Sequence, residues 1–270
     1  MKQEEVTMKN NKMLRITTIQ ADLVWQDKAA NVAKFDKILR GLSRDETDVI
    51  VLPEMFTTGF SMSPETLAEP MTGATVAFLF QKSQALNAAI MGSFICVEDG
   101  KYYNRLLWMQ PDGKFWTYDK RHLFSLAREQ DHYSAGQRLL QIKWRGWTIR
   151  PLICYDLRFP VWSRNVGPDF YAVLIYVANW PERRRLPWQS LLVARAIENQ
   201  AFVVGVNRVG ADGNGIAHSG DTTIVDFSGE RLFQRSHTEG VETTTLSKKD
   251  LMDFREKFTF LADQDAFILK

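Results

Sequence analysis

Cysteine is scarce in this chain. There are two, Cys96 and Cys154, too far apart in sequence to form a local metal knuckle. Free thiols fit them better than a disulfide, because the first seven residues lack the apolar segment of a secretion signal. Long apolar runs are missing too. None approaches the ~20 residues that span a bilayer, so no membrane partner is expected and a cytoplasmic location fits. Neither sign of charge dominates, with 34 basic residues against 32 acidic ones. No basic stripe with interleaved aromatics appears, which argues against nucleic acid as a partner. The one basic run, Arg183-Arg184-Arg185, reads as a solvated loop. Four histidines are present, His122, His132, His218 and His237, none with distinctive flanks. There is no HExxH, no Walker motif and no metal-ligand cluster, so neither metal nor cofactor is expected. The glycines at 210, 213 and 215 suggest a phosphate loop, but their spacing is wrong and a strand follows where a helix is needed. That stretch reads as a turn.

What is there is a full apolar complement. With 45% hydrophobic residues in 270, one large core and one domain over 13–270 is the natural reading. Residues 1–12 are polar and expected to fray, and Met8 or Met13 is an alternative start. Residues 14–20 alternate like a strand, and Val32, Phe35, Ile38, Leu39 and Leu42 then recur at helical spacing up to Gly41. A strand ends at Pro53, a polar loop covers 57–73, and a second helix takes 74–87 with Val76, Leu79, Phe80 and Leu86 on its apolar face. A hairpin pairs 88–97 with 102–110, and a further strand ends near Lys120. After an irregular loop over 121–137, strands are expected at 139–144, 147–154, 171–178 and 201–207, with a helix over 186–199 between the last two. Strands at 222–227, 231–234 and 241–246 follow, then a helix with Ser247 as its N-cap. Apolar strands such as 173–177 and 203–206 read as covered on both faces. The class is therefore α/β with two-layered, strand-rich sheets.

Three strand ends carry chemistry. The run Pro151-Leu152-Ile153 delivers Cys154, after which Tyr155-Asp156-Leu157-Arg158 turns polar where a buried strand would stay apolar. Cys96, between Ile95 and Val97, shows no such change and reads as core. Glu54 follows Val51-Leu52-Pro53, and Lys120 follows Thr117-Tyr118-Asp119. With no histidine marked as base, a partly desolvated carboxylate is the natural activator of the thiol, and Glu54 suits that role. Lys120 would face a developing oxyanion, beside the backbone N–H of Tyr155. Glu129 would hold Lys120 or the substrate amide. Together these are the parts of a hydrolase that works through a thioester.

In combination, three segments resemble the nitrilase superfamily of carbon–nitrogen hydrolases, and the match runs over nearly the whole chain. They are Leu52-Pro53-Glu54-Met55-Phe56, Tyr118-Asp119-Lys120-Arg121-His122 and Cys154-Tyr155-Asp156-Leu157-Arg158-Phe159. The resemblance implies catalytic roles for Glu54, Lys120 and Cys154, with Glu129 as the second glutamate. It implies a four-layer α-β-β-α sandwich and a homodimer. Asn179-Trp180-Pro181 and the 194–200 segment are similar to the omega-amidases, which act on 2-oxoglutaramate and 2-oxosuccinamate. Phe60, Tyr155 and Trp180 would then wall the substrate pocket. Arg105, Arg158 and Arg183–Arg185 are candidates for the substrate carboxylate, with Arg158 read as a structural ion pair. The alternatives are another amidase of the superfamily (aliphatic, N-carbamoyl or deaminated-glutathione substrates), a nitrilase, and a catalytically silent binding homologue.

Overall fold

A computed structural model describes residues 12–167 and 169–267. The expected frayed segment therefore lies outside the described residues except for Lys12. The strands are β1 (Met13–Gln20), β2 (Val49–Val51), β3 (Ala89–Glu98), β4 (Lys101–Met109), β5 (Phe115–Asp119), β6 (Ile142–Trp144) and β7 (Trp147–Ile153). They continue as β8 (Val173–Ala178), β9 (Phe202–Asn207), β10 (Val209–Ala211), β11 (Ala217–Val225), β12 (Arg231–Ser236) and β13 (Gly240–Ser247).

They form two mixed sheets. One runs β13-β1-β2-β3-β4-β5, parallel through β1, β2 and β3 and antiparallel elsewhere. The other runs β10-β11-β9-β8-β7-β6, parallel through β7, β8 and β9, with β12 paired to β11. Side-chain alternation decides how they stack. In the first sheet Ile16, Val49, Val51, Met91, Leu106 and Trp108 point to one face and join the core of the second sheet. Their neighbours Ile50, Ile90, Phe94, Leu107 and Met109 point to the other, where Phe35 and Leu39 of helix Lys28–Arg40 and Phe78 and Leu79 of helix Ala74–Leu86 cover them. Helix Arg185–Asn199 covers the second sheet through Trp188, Leu192 and Ala196. The result is helices, sheet, sheet, helices: the expected four-layer α-β-β-α sandwich. Gly205 is where that outer helix approaches closely, since a Cβ there would stand 2.5 Å from Leu192 Cδ1.

Several boundaries differ from the sequence reading. β11 begins at Ala217, not 222, because its first half carries buried polar residues, His218, Ser219 and Asp221, that break the apolar pattern. Gly210 lies in β10, and the turn is confined to 212–215. Phe80 is exposed, and Phe78 takes the buried position on that helix. Ser247 caps helix Lys248–Lys257 as expected, its side chain accepting from the Asp250 N–H.

Candidate active site

Parallel strands end together, and here that brings three chain segments to one place. Glu54 lies three residues beyond β2, Lys120 directly follows β5, and Cys154 directly follows β7. Cys154 has φ +42°, a left-handed conformation that is strained for a side chain with a Cβ, so the chain turns sharply at the thiol. A single 3-10 turn, Cys154–Arg158, follows. Asp156 clamps it. One carboxylate oxygen accepts from the Ile153 N–H (3.1 Å) and the Tyr118 hydroxyl (2.6 Å). The other accepts from the His122 N–H (3.0 Å) and lies 2.8 Å from His122 Nδ1. His122 is thus occupied behind the turn, stacked on Phe159 at 3.7 Å.

The buried acids and amine form a compact chain. Lys120 Nζ donates to Glu54 Oε1 (3.0 Å) and to both oxygens of Glu129 (3.2 and 3.0 Å), and all three side chains are fully buried. Glu54 is held further by Asn104 Nδ2 (2.8 Å) and the Asn179 N–H (2.7 Å). Glu129 accepts from the Phe124 N–H at 2.6 Å. The Phe60 ring lies 4.9 Å from Lys120 Nζ.

Electrostatics follow from burial. Desolvation works against the Lys120 charge, but Glu129 and then Glu54 outweigh it and raise its pKa, so it is an ammonium at neutral pH. Burial raises the pKa of Glu129, with Lys120 opposing. Burial also pushes the Cys154 thiol well above its ordinary value, Glu54 adds to that, and Lys120 opposes. Burial therefore favours the neutral thiol at Cys154, and a thiol in that state needs a base to take its proton before it can act as a nucleophile.

A cavity of about 470 Å³ opens on this cluster, lined by Glu54, Lys120 and Cys154. Phe60, Tyr155 and Trp180 line it too, as the sequence reading expected. So do Arg158, Arg183 and Arg184. The expected Arg158 ion pair does not form among the described residues, and its guanidinium instead lies over the Trp180 ring at 4.9 Å. The basic run is not a plain solvated loop either: Arg184 is half-buried over Phe124, and Arg185 pairs with Asp221. Arg105 is taken up by Asp119 and Glu98 and does not line the cavity. Sequence reasoning missed Asn104 and Asp156 as supports. Asn104 had left a signal, as a lone amide midway along β4.

Comparison with known proteins gives a consistent picture. The family described as carbon–nitrogen hydrolase matches residues 15–256. Omega-amidase YafV of Escherichia coli strain K12 is 47% identical over 258 residues, covering 95% of this chain and 98% of that protein. The 2-oxoglutaramate amidase of Bacillus subtilis is 30% identical over 251 residues, covering 92% and 96%. Among solved structures, XC1258 of Xanthomonas campestris, a CN-hydrolase superfamily protein with an arsenic adduct in its active site, superposes with a TM-score of 0.92. It is 42% identical, over 96% of this chain and 99% of that one.

Proposed function

We propose, for a chain that belongs to the carbon–nitrogen hydrolase family, that it hydrolyses the omega-amide of 2-oxo acid monoamides, 2-oxoglutaramate and 2-oxosuccinamate, to the dicarboxylate and ammonia. The observation that carries the chemistry is a buried ammonium, Lys120, held at 3.0 Å by each of two carboxylates beside the only thiol of the cavity. The substrate branch is supported by the omega-amidase and 2-oxoglutaramate amidase among the relatives.

In this reading Cys154 Sγ attacks the amide carbon while its proton passes to Glu54. A C–S bond forms, and the carbonyl electron pair moves to oxygen. That oxyanion faces Lys120 Nζ and the Tyr155 N–H, which opens a helical turn and has no acceptor within it. Glu54 returns the proton to the nitrogen, the C–N bond breaks, and ammonia leaves a thioester. Water then loses a proton to Glu54 and attacks the thioester carbon. Collapse expels the thiolate, which regains the proton. Glu129 keeps Lys120 in place, and Phe60, Tyr155 and Trp180 wall the substrate. No cofactor enters. The protein acts as a homodimer in the cytoplasm, as one domain from residue 13 onward.

Steady-state ammonia release tests this. The two 2-oxo amides should turn over well, and glutamine, a simple aliphatic amide and a nitrile poorly. Cys154→Ala should release no ammonia yet keep its far-UV circular dichroism. An aliphatic amide with the highest kcat/KM would move the chain to another amidase branch. Full activity in Cys154→Ala would end the thioester mechanism.

A further inference from the structure

We propose that Arg158 and Arg184 form an anion subsite in this cavity and make it selective for amides that carry a carboxylate; the link to turnover rests on the amidase reading above. The starting observation is guanidinium charge without an ion-pair partner. Arg158, Arg183 and Arg184 line the same cavity as Cys154. Elsewhere three buried guanidiniums find acids, Arg105 with Glu98 and Asp119, Arg195 with Glu198, and Arg208 with Asp22, while buried Arg150 spends its N–H groups on the Arg164 carbonyl and Gln141. Among the described residues the three cavity arginines have no acidic partner. Like charges brought together in a partly desolvated site repel, and an anion removes that repulsion. Burial, and then the charge of Arg183, depress the Arg184 pKa, and Arg158 adds to the effect.

How the guanidiniums are held shows what they are held for. Arg158 lies over the Trp180 ring at 4.9 Å, and Arg184 over the Phe124 ring at 5.0 Å. A cation held over a ring face keeps its N–H donors free, and a planar guanidinium fork matches a carboxylate with two parallel hydrogen bonds. Neither side chain donates a hydrogen bond to another described residue, so those donors are unused.

Both anchors are also tied to the reacting groups. Arg158 closes the 3-10 turn that Cys154 opens, and Asp156 clamps that turn from within. Arg184 ends the turn Glu182–Arg184, five residues after Asn179, whose N–H is bonded to Glu54. The spacing between nucleophile and anion site is therefore set by two short, braced turns. A subsite built this way measures the length of the substrate as well as its charge.

Two measurements decide it. The first is calorimetric titration of Cys154→Ala protein with 2-oxopentanoate, which has the keto acid end and no amide, against neutral 2-pentanone. The oxo acid should bind and the ketone should not. Adding Arg158→Gln or Arg184→Gln should weaken oxo-acid binding at least tenfold, with the folded state checked by thermal unfolding. The second is the ratio of kcat/KM for 2-oxoglutaramate over neutral pentanamide, which should fall at least tenfold in each arginine variant made in the active enzyme. Oxo-acid binding that ignores both substitutions, a ketone that binds as well, or an unchanged ratio would each overturn the subsite. If the unsubstituted protein released ammonia from no amide, the amidase reading would fall, and the titration would still decide the subsite.

Discussion

Lys120 is held charged at a place that would otherwise neutralise it. Its removal should act twice. Lys120→Ala takes away the proposed oxyanion partner, which is expected to lower kcat by roughly 10²–10³-fold. It also leaves Glu54 and Glu129 buried without their counter-ion, which should cost several kcal/mol of stability, read as a lower urea midpoint. A variant with normal stability and normal kcat would remove Lys120 from the site. His218, at the same cavity, behaves in the opposite sense. It is 6% exposed, and burial, helped by the nearby Arg208, pushes its pKa down from 6.5 to about 4. Below pH 6.5 the unfolded chain takes up a proton at this position that the folded chain refuses. Stability should therefore fall as pH drops from 6.5 toward 4, by up to about 3 kcal/mol. His218→Gln should flatten that dependence in urea titrations. Equal slopes in both proteins would mean that His218 is protonated in the fold.

Elements decide whether these side chains meet. The 121–137 loop carries Glu129 and returns to the sheet at Gly136, whose N–H donates to the Lys120 carbonyl at 2.9 Å. A Cβ at Gly136 would stand 2.1 Å from the Asp119 carbonyl oxygen, which is backbone and has no way to swing aside. Gly136→Ala should lift the loop from β5 and loosen Glu129 from Lys120. Misplacements of about 1 Å cost up to ~10²-fold, so kcat should fall by that order while the protein stays folded. Ser247→Ala makes the matched control. Losing that cap should cost about 1 kcal/mol, visible in Tm, without touching kcat. If the two variants had the same kcat, the loop closure would not matter to the chemistry. The loop also shows what local pattern withholds. Its start and end read as irregular chain, correctly, but nothing in its polar sequence distinguishes Glu129 from the neighbouring Asp131, which is exposed.

At the scale of the molecule, the proposed dimer has a place to form. Leu186 and Ile197 are 73% and 50% exposed on the helix that covers the second sheet. Eleven residues apart, they fall on one face of that helix. The C-terminal segment contributes less than its apolar sequence suggests. Phe258 packs at a tilt against Phe254, ring centroids 4.9 Å apart, and Leu261 is buried, so part of it covers its own subunit, while Phe260 and Phe267 are exposed and Ile268 lies outside the described residues. Light scattering at micromolar concentration should therefore give a dimer. Leu186→Glu should dissociate it, because a buried carboxylate would then lack a partner. Truncation after Glu256 should weaken it less. A monomeric unsubstituted protein would remove the claim.

The sequence by itself determined where the candidate catalytic side chains are delivered. Runs of strand length that give way to polar residues or a turn placed Glu54, Lys120 and Cys154 at strand ends. That information is local: period, composition and the change at the boundary lie within a few residues of one another. The stacking of the sheets was also written in alternation, as Ile16, Val49 and Met91 against Ile50, Ile90 and Phe94 show. Only the tertiary structure decided which groups answer one another. Glu54 meets Lys120 across 66 positions and Asn179 across 125, and no local pattern encodes a pairing at that range. The same holds for Arg158. Its sequence neighbours suggested an ion pair, but the fold sets Trp180 beneath it and no acid beside it, leaving its charge turned to the cavity. A side chain's type follows from the chain, whereas its counter-charge depends on which distant segments the packing brings within a few ångströms.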